Sequence, residues 1–416
     1  LDKYAVFVED TVVVEGAYYS SRMVGDYVYT IVRKYACVEN NEANLPAIYK
    51  ETECHRVQAT EVYYFDKYDY SYYFTTIAAF NVKNPKETLV YETFLTGYTT
   101  AIYVSTQNIY LTTGYSNPTS IYRIHFEEGE IEEAVKGEVN GQVLNQFSMD
   151  EYKGYFRIAT TCWRRVLENN LYVLNMDMKV VGCIEGIAPR EKIHSARFMG
   201  KLCYLVTFEK VDPFFVIDLS NPYFPRILGE LKITGYSDYL HLYDKNHVIG
   251  IGKETVEAQQ GSFSWYQGVK ISLFNVENLN NPKELAKYVI GHRGTDSPVL
   301  TDHKAFLFSK ERNLLVIPVI VAEINPNKYF YGVPPNVHGR YVWQGTYVFN
   351  ISTAAAEKIM LRGKITHVSN GNLHNSDYHV TRALYIGDVL YTISENMIKM
   401  HSLSDLAQIN TVSLYP

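Results

Sequence analysis

Side chains that could carry chemistry stand at three places in the sequence. Asp150 is followed by Glu151, Asp302 is followed by His303, and His241 lies between the two pairs. Two carboxylates can act as general acid and base if they converge on one substrate, and a histidine beside a carboxylate can bind a metal ion. Adjacent residues of a strand point to opposite faces, so a structural hydrogen bond is the alternative role for Asp302 and His303.

The sequence contains no motif of a common enzyme class. It has no G-x-S-x-G, no H-E-x-x-H and no calcium-loop spacing. The net charge of −6 gives no basic face for a nucleic acid, and no apolar run approaches the roughly 20 residues of a membrane span. These patterns favour a protein without catalytic activity and predict no cofactor, no metal, no nucleic-acid partner and no transmembrane segment.

The elements that must position these residues are indicated by a weak internal repeat of strand, tight turn and strand. Seven copies begin at positions 18, 101, 147, 194, 238, 300 and 380, and three of the intervals measure 44 to 47 residues. That period is typical of four-stranded propeller blades. Stacked sandwiches are the alternative for many short strands, but a period shared along the chain disfavours them. We predict an all-β fold, a β-propeller of about seven four-stranded blades over 18–416, after an N-terminal strand or linker at 1–17.

The longer intervals between copies require insertions, which the sequence places near 35–75, 254–268 and 322–343. Each falls between the second and third strands of its blade, so all three should crown one face. Long loops on a rigid scaffold often carry function, and exposed Tyr and Trp are common interface anchors. Either these rings bind a partner or they lock the loops onto the scaffold. The candidate binding residues of the second and third insertions are Trp265, Tyr266, Tyr329, Tyr331, Tyr341 and Trp343, and the first insertion adds Tyr63, Tyr64, Tyr68, Tyr70, Tyr72 and Tyr73.

The first strand of a blade should line a central channel, and aligning the repeats by their turns gives one equivalent residue for each blade. Those residues are Arg22, Val104, Asp150, Arg197, Leu242, Ser309 and Leu384. Because Asp150 and Arg197 fall in adjacent repeats, they predict either a charged channel that binds a ligand or an ion pair between neighbouring strands. Arg22, Asp150, Arg197, Asp302 and His303 are therefore further candidate binding residues.

Four stretches of the sequence resemble a known family of archaeal and bacterial proteins. They are VNGQVLNQFSMDEYKGYFRIATT, IAPREKIHSARFMGKLCYLVTFEKVDPFFVIDLSNP, YLHLYDKNHVIGIGKET and LTDHKAFLFSKERNLLVIPV. The family comprises secreted proteins with a C-terminal β-propeller domain distantly related to WD-type repeats, and the similarity covers about 18–416. The resemblance implies an extracellular location, but it carries no activity or catalytic residues. Proteins of this family usually have a region upstream of the propeller, where this sequence has only Leu1–Gly16.

Two covalent modifications are candidates. Cys37 and Cys54 bracket a polar loop and form either a disulfide or two free thiols; the secreted location implied by the resemblance favours the disulfide. Asn350 begins an N-glycosylation triplet.

The first hypothesis of function is an extracellular or cell-surface propeller that binds a protein or glycan through its aromatic loops, with self-association as a further role. The alternative is a secreted hydrolase or lyase with a site at the mouth of the central channel.

Overall fold

The computed structural model describes residues 11–50, 53–65, 71–114, 117–208, 212–258, 263–369, 373 and 375–414. Within these residues the chain forms β-strands and six short 3-10 turns, and no α-helix. No described segment could therefore cross a membrane as a helix. The all-β prediction is confirmed, while Tyr68 and Tyr70 lie outside the described residues.

Seven antiparallel sheets follow one another along the described part of the chain, each built on four strands that are consecutive neighbours. Their number agrees with the expected count of about seven blades. The strands are Ala17–Val24, Tyr27–Tyr35, Tyr73–Asn81 and Val90–Thr96 in sheet 1; Thr99–Val104, Asn108–Thr113, Thr119–Glu127 and Glu130–Val139 in sheet 2; Met149–Tyr152, Tyr155–Trp163, Leu167–Leu174 and Val180–Ile187 in sheet 3, with Gln142–Val143 beside the second; Lys192–Met199, Leu202–Phe208, Asp212–Asp218 and Arg226–Ile233 in sheet 4; Tyr236–Asp244, His247–Glu257, Ser264–Asn275 and Lys283–Ile290 in sheet 5; Leu307–Ser309, Leu314–Glu323, Arg340–Ile351 and Ile359–Ile365 in sheet 6; and Arg382–Ile386, Val389–Ile393, Met397–Ser402 and Gln408–Ser413 in sheet 7.

The local sequence explains these meanders. Every residue of the second strand of sheet 4, Leu202–Phe208, is buried, as expected for an apolar run that is covered on both faces. The turns after the third strands of sheets 1, 4 and 5 are closed by side chains, because Asn81, Asp218 and Asn275 accept hydrogen bonds from main-chain N–H groups two residues ahead. These are the Asx turns that the Asn-Pro segments predict.

The chain divides into two compact units. Unit 1 comprises Leu1–Pro189 with Asn221–Pro225, and it contains sheets 1 to 3. Its core includes Tyr29 of sheet 1, Leu111 of sheet 2 and Phe156 of sheet 3. Unit 2 comprises Arg190–Ser220 with Arg226–Pro416 and contains sheets 4 to 7.

The segment between the second and third strands of sheet 1 forms a small structure together with Val12–Val14, which precedes sheet 1. Strands Val12–Val14, Ala47–Lys50 and Glu53–Arg56 make a three-stranded sheet, while Val62–Tyr64 pairs in parallel with the fourth strand of sheet 1. Its anchor residues Ala47 and Ile48 are buried.

The expected disulfide in this segment is not formed. Cys37 and Cys54 are free, as are the other three cysteines. Cys54 belongs to the three-stranded sheet, where it lies opposite Tyr49, whereas Cys37 precedes it outside that sheet and contacts the carboxylate of Glu39, with 3.6 Å between Sγ and Oε1. Cys54 is held within a paired strand and Cys37 lies outside that sheet, so the predicted bridge is absent.

Candidate interaction surface

The aromatic residues of the second and third insertions are carried by strands that run past the ends of their neighbours. The second and third strands of sheet 5 pair as far as Glu257 and Ser264, which places Trp265 opposite Val256 and Tyr266 opposite Thr255. In sheet 6, residues 324–339 connect the second strand to the third. A 3-10 turn at Pro326–Lys328, capped by Asn325, shapes the start of this loop.

Polar contacts fix the base of the sheet 6 loop against the long hairpin of sheet 5. Gln267 donates from Nε2 to the carbonyl oxygen of Pro335 at 3.0 Å. Arg293, which lies between the two sheets along the chain, donates to the carbonyl of Tyr266 at 3.2 Å and accepts from the N–H of Gly339 at 2.7 Å. Its guanidinium also lies 4.9 Å from the ring centre of Trp265, so one arginine joins both segments.

Four of the predicted aromatic residues contact other rings, two of them on the scaffold and two within their own insertion. Tyr266 lies against Tyr236, with ring centres 5.3 Å apart, but 43% of it stays exposed. Trp343 packs edge-to-face on Tyr347 at 5.3 Å. Tyr341, which is half exposed, contacts His338, and Trp265 contacts Phe263. The locking role foreseen for the rings therefore applies to part of the set.

The tip of the sheet 6 loop differs from its base. Phe330 is 94% exposed and Tyr331 is 97% exposed. Their rings contact each other edge to face, with centres 5.1 Å apart and planes at 84°, while Tyr329 is half-buried below them. Phe330 lies in the predicted third insertion but was not among its candidate binding residues, although it is nearly as exposed as Tyr331. We call Phe330 and Tyr331 the aromatic tip.

The residues proposed for the channel and for catalysis in unit 1 are engaged by neighbours. Asp150 is bound by Arg157 of the same sheet through Nη2, and through Nε at 3.1 Å. Glu151 accepts from Tyr110 at 2.8 Å and from Asn108 at 2.9 Å. Arg22 donates to Gln146 at 2.8 Å and to the carbonyl of Ser21 at 2.7 Å. Each of these three side chains is therefore held by other groups of the protein itself.

Asp302 in unit 2 is similarly engaged. It caps the 3-10 turn His303–Ala305 by accepting from the N–H of Lys304, and its second oxygen accepts from Arg382 at 2.8 Å. Both carboxylate oxygens therefore have protein donors. Within the residues that the structure covers, no three His, Cys, Asp or Glu side chains form a group able to hold a metal ion.

His241 lies in an aromatic cluster formed by the first strand of sheet 5 and by residues at the start of sheet 6. The ring centres of Phe306 and Phe308 are 4.8 and 5.2 Å from its own, and its Nδ1 is 3.1 Å from the hydroxyl of Tyr239. Burial, helped by the positive charge of Arg197, lowers the pKa of His241 to about 4. A neutral imidazole at pH 7 suits this packing.

A histidine–aspartate pair that sequence reasoning missed lies below Tyr266. Nδ1 of His194 is 3.1 Å from Oδ1 of Asp238, and the imidazole packs 4.3 Å from the ring centre of Tyr236. Both residues begin a copy of the repeat, at positions 194 and 238. That shared repeat position was the signal that could have predicted their contact.

The predicted glycosylation residue Asn350 is half-buried near the end of the third strand of sheet 6, opposite Met360. Its modification stays a prediction.

Comparison with known proteins identifies the fold. A family model described as a beta propeller domain matches residues 2–406, so the propeller prediction is confirmed. The resemblance had implied a propeller domain in the C-terminal part. The match instead begins at residue 2 and covers nearly the whole sequence.

Two archaeal proteins are related over part of their length. The chain is 37% identical over 291 residues to an uncharacterized protein of Methanocaldococcus jannaschii, which covers 69% of this chain and 38% of that protein. It is 35% identical over 277 residues to an uncharacterized protein of Archaeoglobus fulgidus, covering 66% and 36%. The matched region thus spans little more than a third of each relative. Among solved structures, the periplasmic gluconolactonase of Pseudomonas aeruginosa aligns with 81% of this chain and 91% of its own, at 8% identity and a TM-score of 0.46, a likeness too distant to bear on activity.

Proposed function

We propose that the chain, which belongs to the beta propeller domain family, is an extracellular or cell-surface binding module that engages a protein partner through the aromatic tip. The fold itself serves many unrelated functions, so the proposal rests on the residues exposed at the surface. The near-complete exposure of Phe330 and Tyr331 carries this proposal. Burying one such ring in a partner would contribute about 1.5–3 kcal/mol. The location is supported by the resemblance to secreted proteins.

The geometry of the tip favours a protein over a glycan as the partner. A sugar stacks on the flat face of a ring, whereas the two rings of the tip stand at 84° to each other. They form a knob that fits a concave apolar pocket of the kind that protein hot spots fill. The contacts of Gln267 and Arg293 hold the base of the loop, which lowers the entropy cost of binding.

Binding of the fluorescently labelled protein to intact cells of its source tests this proposal. Replacing both Phe330 and Tyr331 with Ser should weaken binding at least about tenfold, since hot-spot truncations cost about 2 kcal/mol or more. The matched control replaces Tyr223 and Phe224, an exposed aromatic pair of unit 1, and should bind as the parent does.

Treatment of the cells distinguishes the partners. Protease treatment should abolish binding, and periodate oxidation of surface sugars should leave it unchanged. The reverse pattern would make the partner a glycan and overturn the choice of a protein. Equal binding by the two double variants would show that the aromatic tip is not the contact, and light scattering of the free protein shows whether a second copy is the partner.

A secreted hydrolase or lyase is the second candidate. It relies on Asp150, Glu151, His241, Asp302 and His303, of which the three carboxylates already accept protein hydrogen bonds. Loss of a measured activity on replacing Asp302 and His303 with Ala would favour this candidate over the binding module.

A further inference from the structure

A pocket in unit 1 is separate from the aromatic tip and has no role in the proposed function. It measures about 340 Å³ and lies between the three-stranded sheet and the hairpin formed by the third and fourth strands of sheet 1. Ligand pockets typically measure roughly 300–1,000 Å³. Its walls are mainly hydrocarbon, supplied by Val12, Phe80, Val82, Pro85, Leu89 and Val90.

One carboxylate is held in the lining of this pocket by two neutral donors. Glu87 accepts from the hydroxyl of Tyr27 at Oε1, at 2.8 Å, and from Nδ2 of Asn81 at Oε2, at 2.6 Å. The bond to this carboxylate raises the pKa of Tyr27, so the phenol stays a donor. Asn81 is itself fixed, because its Oδ1 accepts the N–H groups of Lys83 and Asn84. The carboxylate is thus oriented before any ligand arrives.

The charge of Glu87 has no cationic partner among the described residues. Lys50 of the lining donates to main-chain oxygens, at 3.1 Å to Glu87 and 3.5 Å to Pro85. A carboxylate has about four acceptor positions, and the two neutral donors occupy two of them. Capacity for a charged donor therefore remains at this group.

Two aromatic residues belong to the lining, and Tyr27 is the one in contact with the carboxylate. The ring of Tyr27 rests against Gly129, where an added Cβ would come within 2.3 Å of Cε1, so the ring cannot move further to that side. Phe80 provides the second ring. An anionic group beside aromatic faces and hydrocarbon walls is the chemistry that recognises organic cations.

We propose that this pocket binds a small organic ammonium ion. Its charged nitrogen would donate to the carboxylate of Glu87, and its hydrocarbon part would lie against Phe80 and Leu89. The mainly apolar lining points to a monocation with an apolar body.

Binding to the intact protein can be measured by saturation-transfer NMR and calorimetry with three probes of similar shape. These are phenethylammonium, 2-phenylethanol and 3-phenylpropionate. We expect the ammonium to bind saturably and at least about tenfold more tightly than the alcohol, because an ionic hydrogen bond is about twice as strong as a neutral one. Absence of saturable binding by the ammonium, or tighter binding of the carboxylate, would overturn the proposal.

A conservative variant locates the charge. Glu87→Gln keeps the size of the side chain and an oxygen for Tyr27, and it should lose at least about tenfold in affinity for the ammonium while binding the alcohol as before. The control Glu127→Gln alters an exposed glutamate of sheet 2 and should leave both affinities unchanged. If Glu87→Gln binds the ammonium as tightly as the parent, Glu87 is not its partner and the proposal fails.

Discussion

Acidification to pH 5 should destabilise the protein through His241. The imidazole lies among Tyr239, Phe306 and Phe308, and burial and the charge of Arg197 lower its pKa from 6.5 to about 4. The unfolded chain takes up a proton below pH 6.5, whereas the folded protein resists it until about pH 4. Stability is therefore complete above pH 6.5 and falls as the pH drops through this window.

The size of the effect follows from the two pKa values. At pH 5 the unfolded imidazole is almost fully protonated and the folded one is mostly neutral, so the difference in unfolding free energy is about 2 kcal/mol relative to pH 7.5. His367 acts in the same direction, because burial and the nearby Lys399 and His401 lower its pKa to about 4 as well. Its nitrogens contact the hydroxyls of Ser394 at 2.9 Å and Thr392 at 2.8 Å.

Urea unfolding at pH 7.5 and 5.0 measures this loss, and His241→Asn isolates one contribution. The variant should be less stable at pH 7.5, yet its further loss at pH 5.0 should be about 2 kcal/mol smaller than that of the parent. The control His55→Asn removes a half-exposed histidine and should change the pH dependence by less than about 1 kcal/mol. An NMR titration that finds His241 protonated near pH 6.5 in the folded protein would refute the burial argument.

Three other predictions follow from single contacts. Arg157→Ala would remove the buried guanidinium that binds Asp150 and should cost about 3–5 kcal/mol in urea unfolding. Arg226→Ala, whose exposed side chain pairs with Asp218, should cost less than about 1 kcal/mol. Equal losses would contradict the assigned burial of Arg157. Gly252→Ala would place a Cβ 1.7 Å from the carbonyl oxygen of Tyr236 and should lower the unfolding free energy by about 3 kcal/mol. Gly25→Ala meets no atom within 4 Å and should cost only the backbone strain of about 1–2 kcal/mol. A larger loss for Gly25→Ala than for Gly252→Ala would count against the strand pairing. A thiol reagent should titrate five cysteines after denaturation, with the exposed Cys54 and Cys183 reacting first in the native protein; two missing thiols would restore the disulfide predicted from the sequence.

The repeat made the fold predictable because turn signals and apolar strands recur at the same positions. Asn81, Asp218 and Asn275 each close a turn after a third strand, and each could be identified from its Asn-Pro neighbourhood. The aromatic loops could also be located, since an insertion interrupts the period. What the sequence could not separate was Trp343, which packs on Tyr347, from Tyr331, which is almost fully exposed. Both are aromatic residues of one insertion, and their difference arises only from the path of the loop.

The pocket beside Glu87 was beyond sequence reasoning for another reason. Its walls come from Val12 and Lys50 as well as from residues 79–90, and no local pattern links these segments. The prediction of a bridge between Cys37 and Cys54 was wrong for a related reason, because the sequence does not show which strand Cys54 joins. The bracketed loop left a bridge and two free thiols open, and the resemblance to secreted proteins favoured the bridge, whereas the strand that carries Cys54 pairs with the strand of Tyr49.

Two polar pairs of unit 2 show where such proximity should be sought in a repeat protein. His194 and Asp238 are each the first residue of their copy, and they meet at 3.1 Å. Asp302 and Arg382 are each the third residue of theirs, and they meet at 2.8 Å. In both pairs a polar residue meets the residue that stands at the same place in the next copy, counted from the start of the copy. Scanning along the chain linked Asp302 to His303, whereas counting from the start of each copy links it to Arg382 and links His194 to Asp238.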